Sequence, residues 1–152
     1  MARFNYRLQG VLNLRLQQEE QVKMEFAQAM KELNDQLDIL NQYIKTRDAF
    51  IQEGYELRSA SIMDVQAIMD NNYYEKQMDV IIKDQEVKVD AYRAKTEVAR
   101  MKLTRAVQER KMQERLKERS FEQFMEEEKE AEAKEVDERS SFTYTRRTRE
   151  GN

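Results

Sequence analysis

From Leu8 to about Leu57 the apolar residues recur at helical spacing. Phe26, Met30, Leu33, Leu37, Leu40, Ile44 and Ile51 step by four, three, four, three, four and then seven, with Arg47 at the skipped position. A period of 3.5 is the mark of a helix lying along another helix at a low angle, whereas a strand would alternate with period two. A second pattern is longer. Met78, Ile82, Gln85, Val89, Tyr92, Thr96, Ala99, Leu103 and Ala106 alternate steps of four and three, and Val80, Val87, Ala94 and Met101 form a further stripe at intervals of seven. The two stripes make an apolar face wide enough to cover more than one surface. After Ala106 the apolar content thins to Leu116, Phe121, Phe124 and Met125 before Val136.

Between these patterns stand Gly54 and the run Ser59-Ala60-Ser61. Ser61-Ile62-Met63-Asp64 has the form of a capping box, in which Ser61 accepts the backbone N–H of Asp64 and starts a helix. The expected fold is all-α: a long two-helix antiparallel coiled-coil hairpin filling residues 1–139. Helix one spans about 4–57, the turn about 55–61 and helix two about 62–138. At about 1.5 Å per residue the helices extend about 75 and about 110 Å. A short turn makes them antiparallel neighbours and leaves the end of the longer second helix overhanging. Residues 140–152, polar and basic, are expected to be a disordered tail.

Composition removes most chemistry. The 152 residues hold no proline, no cysteine, no histidine and three glycines. Tight turns draw on Gly and Pro, so the chain has few places to reverse. Disulfides and thiolate metal sites are excluded, and the commonest general base is absent. No glycine loop surrounds a phosphate, and the run Glu126-Glu127-Glu128 reads as a solvated helix face. No catalytic, cofactor-binding or metal-ligating residue is expected, and the chain does not read as an enzyme. It shows neither a secretory signal nor a membrane-spanning run, so direct membrane insertion is not expected.

Charge is high, at 38% of residues, and nearly balanced. It is unevenly placed. Residues 100–119 carry eight basic and three acidic side chains, and residues 120–138 carry nine acidic and two basic ones. The basic block lacks interleaved aromatics and sits in a chain of net charge −3, which argues against nucleic acid. Tyr43, Tyr73 and Tyr74 fall toward the hinge, and a hairpin with one seam leaves some of its large apolar residues exposed, as contact sites do.

Three segments carry a family resemblance. Phe4-x-Tyr6-x-Leu8-Gln9-x-x-Leu12-x-Leu14-Arg15 resembles the N-terminal pattern of the flagellar export protein FliJ family. Glu109-Arg110-Lys111-Met112-Gln113-Glu114-Arg115-Leu116-Lys117-Glu118-Arg119 is similar to that family's second-helix pattern. The likeness continues through Glu122, Glu126 and Glu127 to Lys134-Glu135-x-Asp137-Glu138. The resemblance implies a cytoplasmic component of the type III flagellar export apparatus, held at the inner face of the cell membrane through that apparatus and serving flagellum assembly, motility and hence chemotaxis. It implies a stalk-like coiled coil that binds and stimulates the hexameric export ATPase, contacts the cytosolic domain of the export gate and helps recycle export chaperones.

The gate-facing surface implied by the resemblance maps onto Gln36, Leu40, Tyr43 and Arg47 of helix one and Tyr74, Met78, Ile81 and Gln85 of helix two. Arg47 departs from the family pattern, which has an aromatic there, and Leu40 and Met78 also lie in the seam stripes. The ATPase contact is expected on the charged flank at about 100–138, with Arg105, Arg110, Lys111, Arg115, Lys117 and Arg119 as its candidates. Readings from other classes are a dimeric structural coiled coil, a prefoldin-like or secretion chaperone, and the equivalent stalk of an injectisome.

Overall fold

A computed structural model describes residues 2–151. Two helices account for nearly all of them: α1, Gln9–Arg58, and α2, Val65–Glu150. No strand occurs among the described residues, and the fold is the all-α helical hairpin expected. The residue pairs that join the helices fall in number along α1 as they rise along α2, which makes the two antiparallel. The chain divides into two compact units, one running from Glu20 to Arg105, the other comprising the residues up to Glu19 and those from Ala106 on.

In the 20–105 unit the turn occupies residues 59–64, later than the 55–61 expected. Ser61 does not cap α2. Asp64 does, its Oδ1 accepting the N–H of Ala67 at 3.1 Å, which satisfies a donor that the first helical turn leaves free. Asp64 is the shorter route, because its carboxylate reaches the helix start with no intervening residues to order. Gly54 does not break α1 either. It has no positive φ and lies inside the helix, buried against α2.

The α2 side of this seam is the stripe read from the sequence. Met78, Ile82 and Val89 are buried, and Tyr92, Ala99 and Leu103 are half-buried. Ile82 is 4% exposed, and burying such a side chain is worth about 1.5–3 kcal/mol. The α1 side differs. Val22, Phe26, Ala29, Leu33, Gln36, Leu40, Tyr43, Arg47, Phe50, Gly54 and Leu57 form its covered line, again in steps of four and three. Met30, expected in the seam, is exposed, and Ala29 takes its place.

Small and polar residues sit on this line because α2 sends polar side chains into it. Asn71 Nδ2 donates to the carbonyl of Phe50 at 2.9 Å. Gln85 Nε2 donates to the carbonyl of Gln36 at 3.0 Å and to its Oε1 at 2.8 Å. Thr96 Oγ1 donates to the carbonyls of Ala29 at 3.3 Å and Tyr92 at 2.8 Å. Each of the three is buried, and a buried polar group without a partner would cost about 1–3 kcal/mol.

In the other unit, residues 2–8 are not helical, although helix one was expected from about residue 4. The reason is packing. The Phe4 ring meets Phe121 edge-on at 5.2 Å and Phe124 at 5.4 Å, and the buried Tyr6 donates its hydroxyl to Gln113 Oε1 at 3.4 Å. Leu12 is buried as well. Around it Arg15 pairs with Glu109 at 2.8 Å, and Arg110 pairs with both Glu19 and Glu114.

Residues 129–151 are exposed throughout. The helix runs on to Glu150, through the stretch expected as a disordered tail; Asn152, the last residue of that stretch, lies outside the described residues. Local bonds hold it. Arg139 pairs with Glu135 at 2.9 Å and Arg146 with Glu150 at 3.0 Å, and the hydroxyls of Thr143, Thr145 and Thr148 donate back one turn to Arg139, Ser141 and Tyr144. Such i,i+4 pairs are worth about 0.2–0.5 kcal/mol each.

Candidate functional site

The described residues offer no group of three or more side chains arranged to hold a metal. What they offer are surfaces, one set in each unit.

In the 20–105 unit, the eight positions mapped to the export gate lie along the seam but differ in access. Gln36, Leu40, Tyr43 and Arg47 are half-buried on α1, and Met78 and Gln85 are buried on α2. Gln36 and Gln85 are bonded to each other, so neither side chain is free while the helices stay paired. Arg47 lies at the seam edge, 3.9 Å from Asp79 and 3.6 Å from Asp48. Tyr74 and Ile81 are exposed. Tyr74 stacks on Phe50 at 5.8 Å with 20° between the ring planes and meets Tyr73 edge-on at 5.7 Å. Phe50 was not singled out from sequence, although it falls on the four-three line through Tyr43 and Arg47.

The turn shows a second patch that the sequence reading passed over. Tyr55, Ile62, Met63, Val65 and Met69 are all well exposed there. Ile62 and Met63 beside Val65, in a segment that polar residues usually fill, were the signal available. The stripe Val80, Val87, Ala94 and Met101 faces outward as well, with Val87 69% exposed.

In the unit from Ala106 on, the basic candidates divide by helix face. Arg110 is turned toward α1, and its bonds to Glu114 and Glu19 push its guanidinium pKa up from the ordinary value. Lys117 is half-buried. Lys111, Arg115 and Arg119 instead share an outward face with Gln108, Met112 and Leu116. Arg105, at the end of the other unit, is exposed and engaged in an interaction of its own. The cation face and Tyr74 with Ile81 thus belong to different units, each held by α2.

Over residues 4–149 the chain matches the family described as flagellar FliJ protein. It belongs to the FliJ family. None of the curated proteins or solved structures gives a match. Family membership makes this FliJ-family chain a component of flagellar protein export. Among the described residues, no helix is long and apolar enough to cross a membrane. In the 20–105 unit of this FliJ-family chain, Gln36, Asn71, Gln85 and Thr96 are engaged across the seam, while Tyr74, Ile81 and the turn patch stand outward.

Proposed function

We propose that this FliJ-family chain is the stalk-like element of the export apparatus, a rigid helical pair that binds the hexameric export ATPase and raises its activity. It also links that ring to the cytosolic domain of the export gate, and hands over export chaperones. It works in the cytoplasm at the inner face of the membrane and carries out no chemistry of its own. The observation that supports this reading most is the end of α2, where residues 129–150 stay helical with no α1 residue against them. A segment of about 33 Å at 1.5 Å per residue is then available to another protein. An isolated helix gains little stability from propensity alone, so a partner surface is the natural use of it.

Lys111, Arg115 and Arg119 are the ATPase-contact residues in this reading, because they are exposed and unpaired where Arg110 is committed to α1. Tyr74 and Ile81 are the accessible part of the gate-facing set. The test is ATP hydrolysis by the cognate flagellar export ATPase, titrated with the full chain and with the R115E/R119E variant. Saturable stimulation that the variant loses is expected. No stimulation and no binding by the full chain would overturn the stalk reading. Equal stimulation by the variant would remove these residues from the contact.

A further inference from the structure

One outward face of α2 reverses its charge about its midpoint. Gln108, Met112, Arg115, Arg119, Glu122, Glu126, Lys129 and Ala133 follow one another in steps of four and three and so share a face. Lys111, Leu116, Glu118, Met125 and Glu132 border it, and every one of these residues is exposed. All lie within the unit that begins at Ala106. At its centre Arg115 and Arg119 make the first half basic and Glu122 and Glu126 make the second acidic, with Glu118 beside the first and Lys129 at the far end of the second. Among the described residues, Lys111, Arg115, Arg119, Glu122 and Glu126 make no ion pair, whereas Arg15, Glu19, Arg110 and Glu114 are all paired on other faces.

We propose that this face docks on the same face of a second copy of the chain, antiparallel, about a two-fold axis between Ser120 and Phe121. In that register Arg119 stands level with the partner's Glu122, Arg115 with the partner's Glu126, and Leu116 with the partner's Met125. Lys111 lies within two residues of the partner's Glu132. The symmetry forms each pair twice, as a self-complementary interface requires. A parallel arrangement would set Arg115 on the partner's Arg115 and Glu122 on the partner's Glu122, which like charges oppose. A partner of uniform charge would match only half of the face. A face that changes sign about its midpoint is matched by one that does the same, and this chain supplies it.

Exposed ion pairs are individually weak and screened by salt, so the dimer forms at high protein concentration and dissolves as salt rises. It covers Lys111, Arg115 and Arg119, so dimer and ATPase-bound chain are alternatives. The inference does not depend on the ATPase reading, because it concerns the chain alone.

The experiment is sedimentation equilibrium of the full chain at about 0.05 M and at about 1 M salt, where the Debye length falls to about 3 Å. A monomer–dimer equilibrium is expected at low salt and a monomer at high salt. The R115E/R119E and E122K/E126K variants should each associate at least about tenfold more weakly than the wild type. An equimolar mixture of the two should recover association, because each face then meets its opposite. Circular dichroism checks that both stay helical, which is expected because none of the four positions touches α1 through an ion pair or hydrogen bond. A chain that is monomeric at low salt across the loading range, variants that associate like the wild type, or a mixture that stays monomeric would each overturn the proposal.

Discussion

Gly54 offers a substitution whose sign is set by one neighbour. A Cβ at Gly54 would lie 2.8 Å from Asn71 Oδ1 and 3.7 Å from its Cγ. Asn71 is only 4% exposed and is tied through Nδ2 to the carbonyl of Phe50 at 2.9 Å, so it cannot simply swing away. Gly→Ala inside a helix normally gains about 1 kcal/mol. Here the methyl group displaces the amide. That forfeits a hydrogen bond worth about 1 kcal/mol and leaves a buried polar group short of partners at a cost of about 1–3 kcal/mol. The carboxamide oxygen has no partner already, so no other bond compensates. Gly54→Ala should therefore destabilise the chain by about 1–3 kcal/mol.

With Asn71→Ala in place the obstruction is gone, and the same change should stabilise by about 1 kcal/mol. The four chains form a double-mutant cycle read by urea denaturation followed by far-UV circular dichroism. Expected coupling is about 2–4 kcal/mol, well outside the roughly 0.3–0.5 kcal/mol of independent sites. If Gly54→Ala stabilised both backgrounds equally, the close approach of Asn71 to Gly54 would be wrong.

Other consequences are as direct. Ile82→Ala should cost about 2–4 kcal/mol, while Val87→Ala on the outward stripe should stay within about 0.5 kcal/mol; equal losses would mean the two stripes are assigned to the wrong faces. Amide hydrogen exchange should be fast over residues 129–150 and slowest around Ile82 and Val89, since only the latter are covered; uniform protection along α2 would contradict the unpartnered end. Glu32 is held below the ordinary carboxylate range first by its hydrogen bond from Lys95, then by Gln28, and Glu97 by its bond from Arg100. A depressed folded-state pKa stabilises above the unfolded value, about 4.3, and that contribution is lost as pH falls through the lower folded one. With no histidine in the chain, stability should stay level through the neutral range and fall only in acid; a thermal midpoint that moves between pH 6 and 8, about where histidine titrates, would refute this.

The sequence made α2 legible and α1 only in part, for a physical reason. From Met78 to Leu103 of α2 the covered positions are also the apolar ones, apart from Gln85 and Thr96. Along α1 the covered line passes through Ala29, Gln36, Arg47 and Gly54, which no apolar pattern selects. Leu37, Ile44 and Ile51, read as the seam, are half-buried on its flank. What placed the line was polar: the side chains of Asn71, Gln85 and Thr96 need acceptors and small neighbours, and a one-dimensional pattern cannot show which residues face them. The turn was close because Asp64 and the serines signal it, yet which of them caps could not be read from spacing. In the candidate site, the charge reversal at residue 120 was plain. That Arg110 is spent on α1 depended on Glu19, far away in sequence.

The seam of the 20–105 unit also resists shear. Its apolar stripes repeat every seven residues, so on hydrophobic grounds α1 could slip past α2 by one heptad, about 10.5 Å, at little loss. The polar contacts do not repeat in that way. A slip would move Asn71 from the space at Gly54 to a position that has a side chain, and Gln85 from Gln36 to Tyr43 or Ala29, neither of which carries an amide. Gln85 would lose its side-chain acceptor, a bond worth about 1 kcal/mol, and Asn71 would meet a side chain where Gly54 leaves room. The helices of this unit are therefore latched against sliding, and a push on one of them is passed to the other as a common displacement.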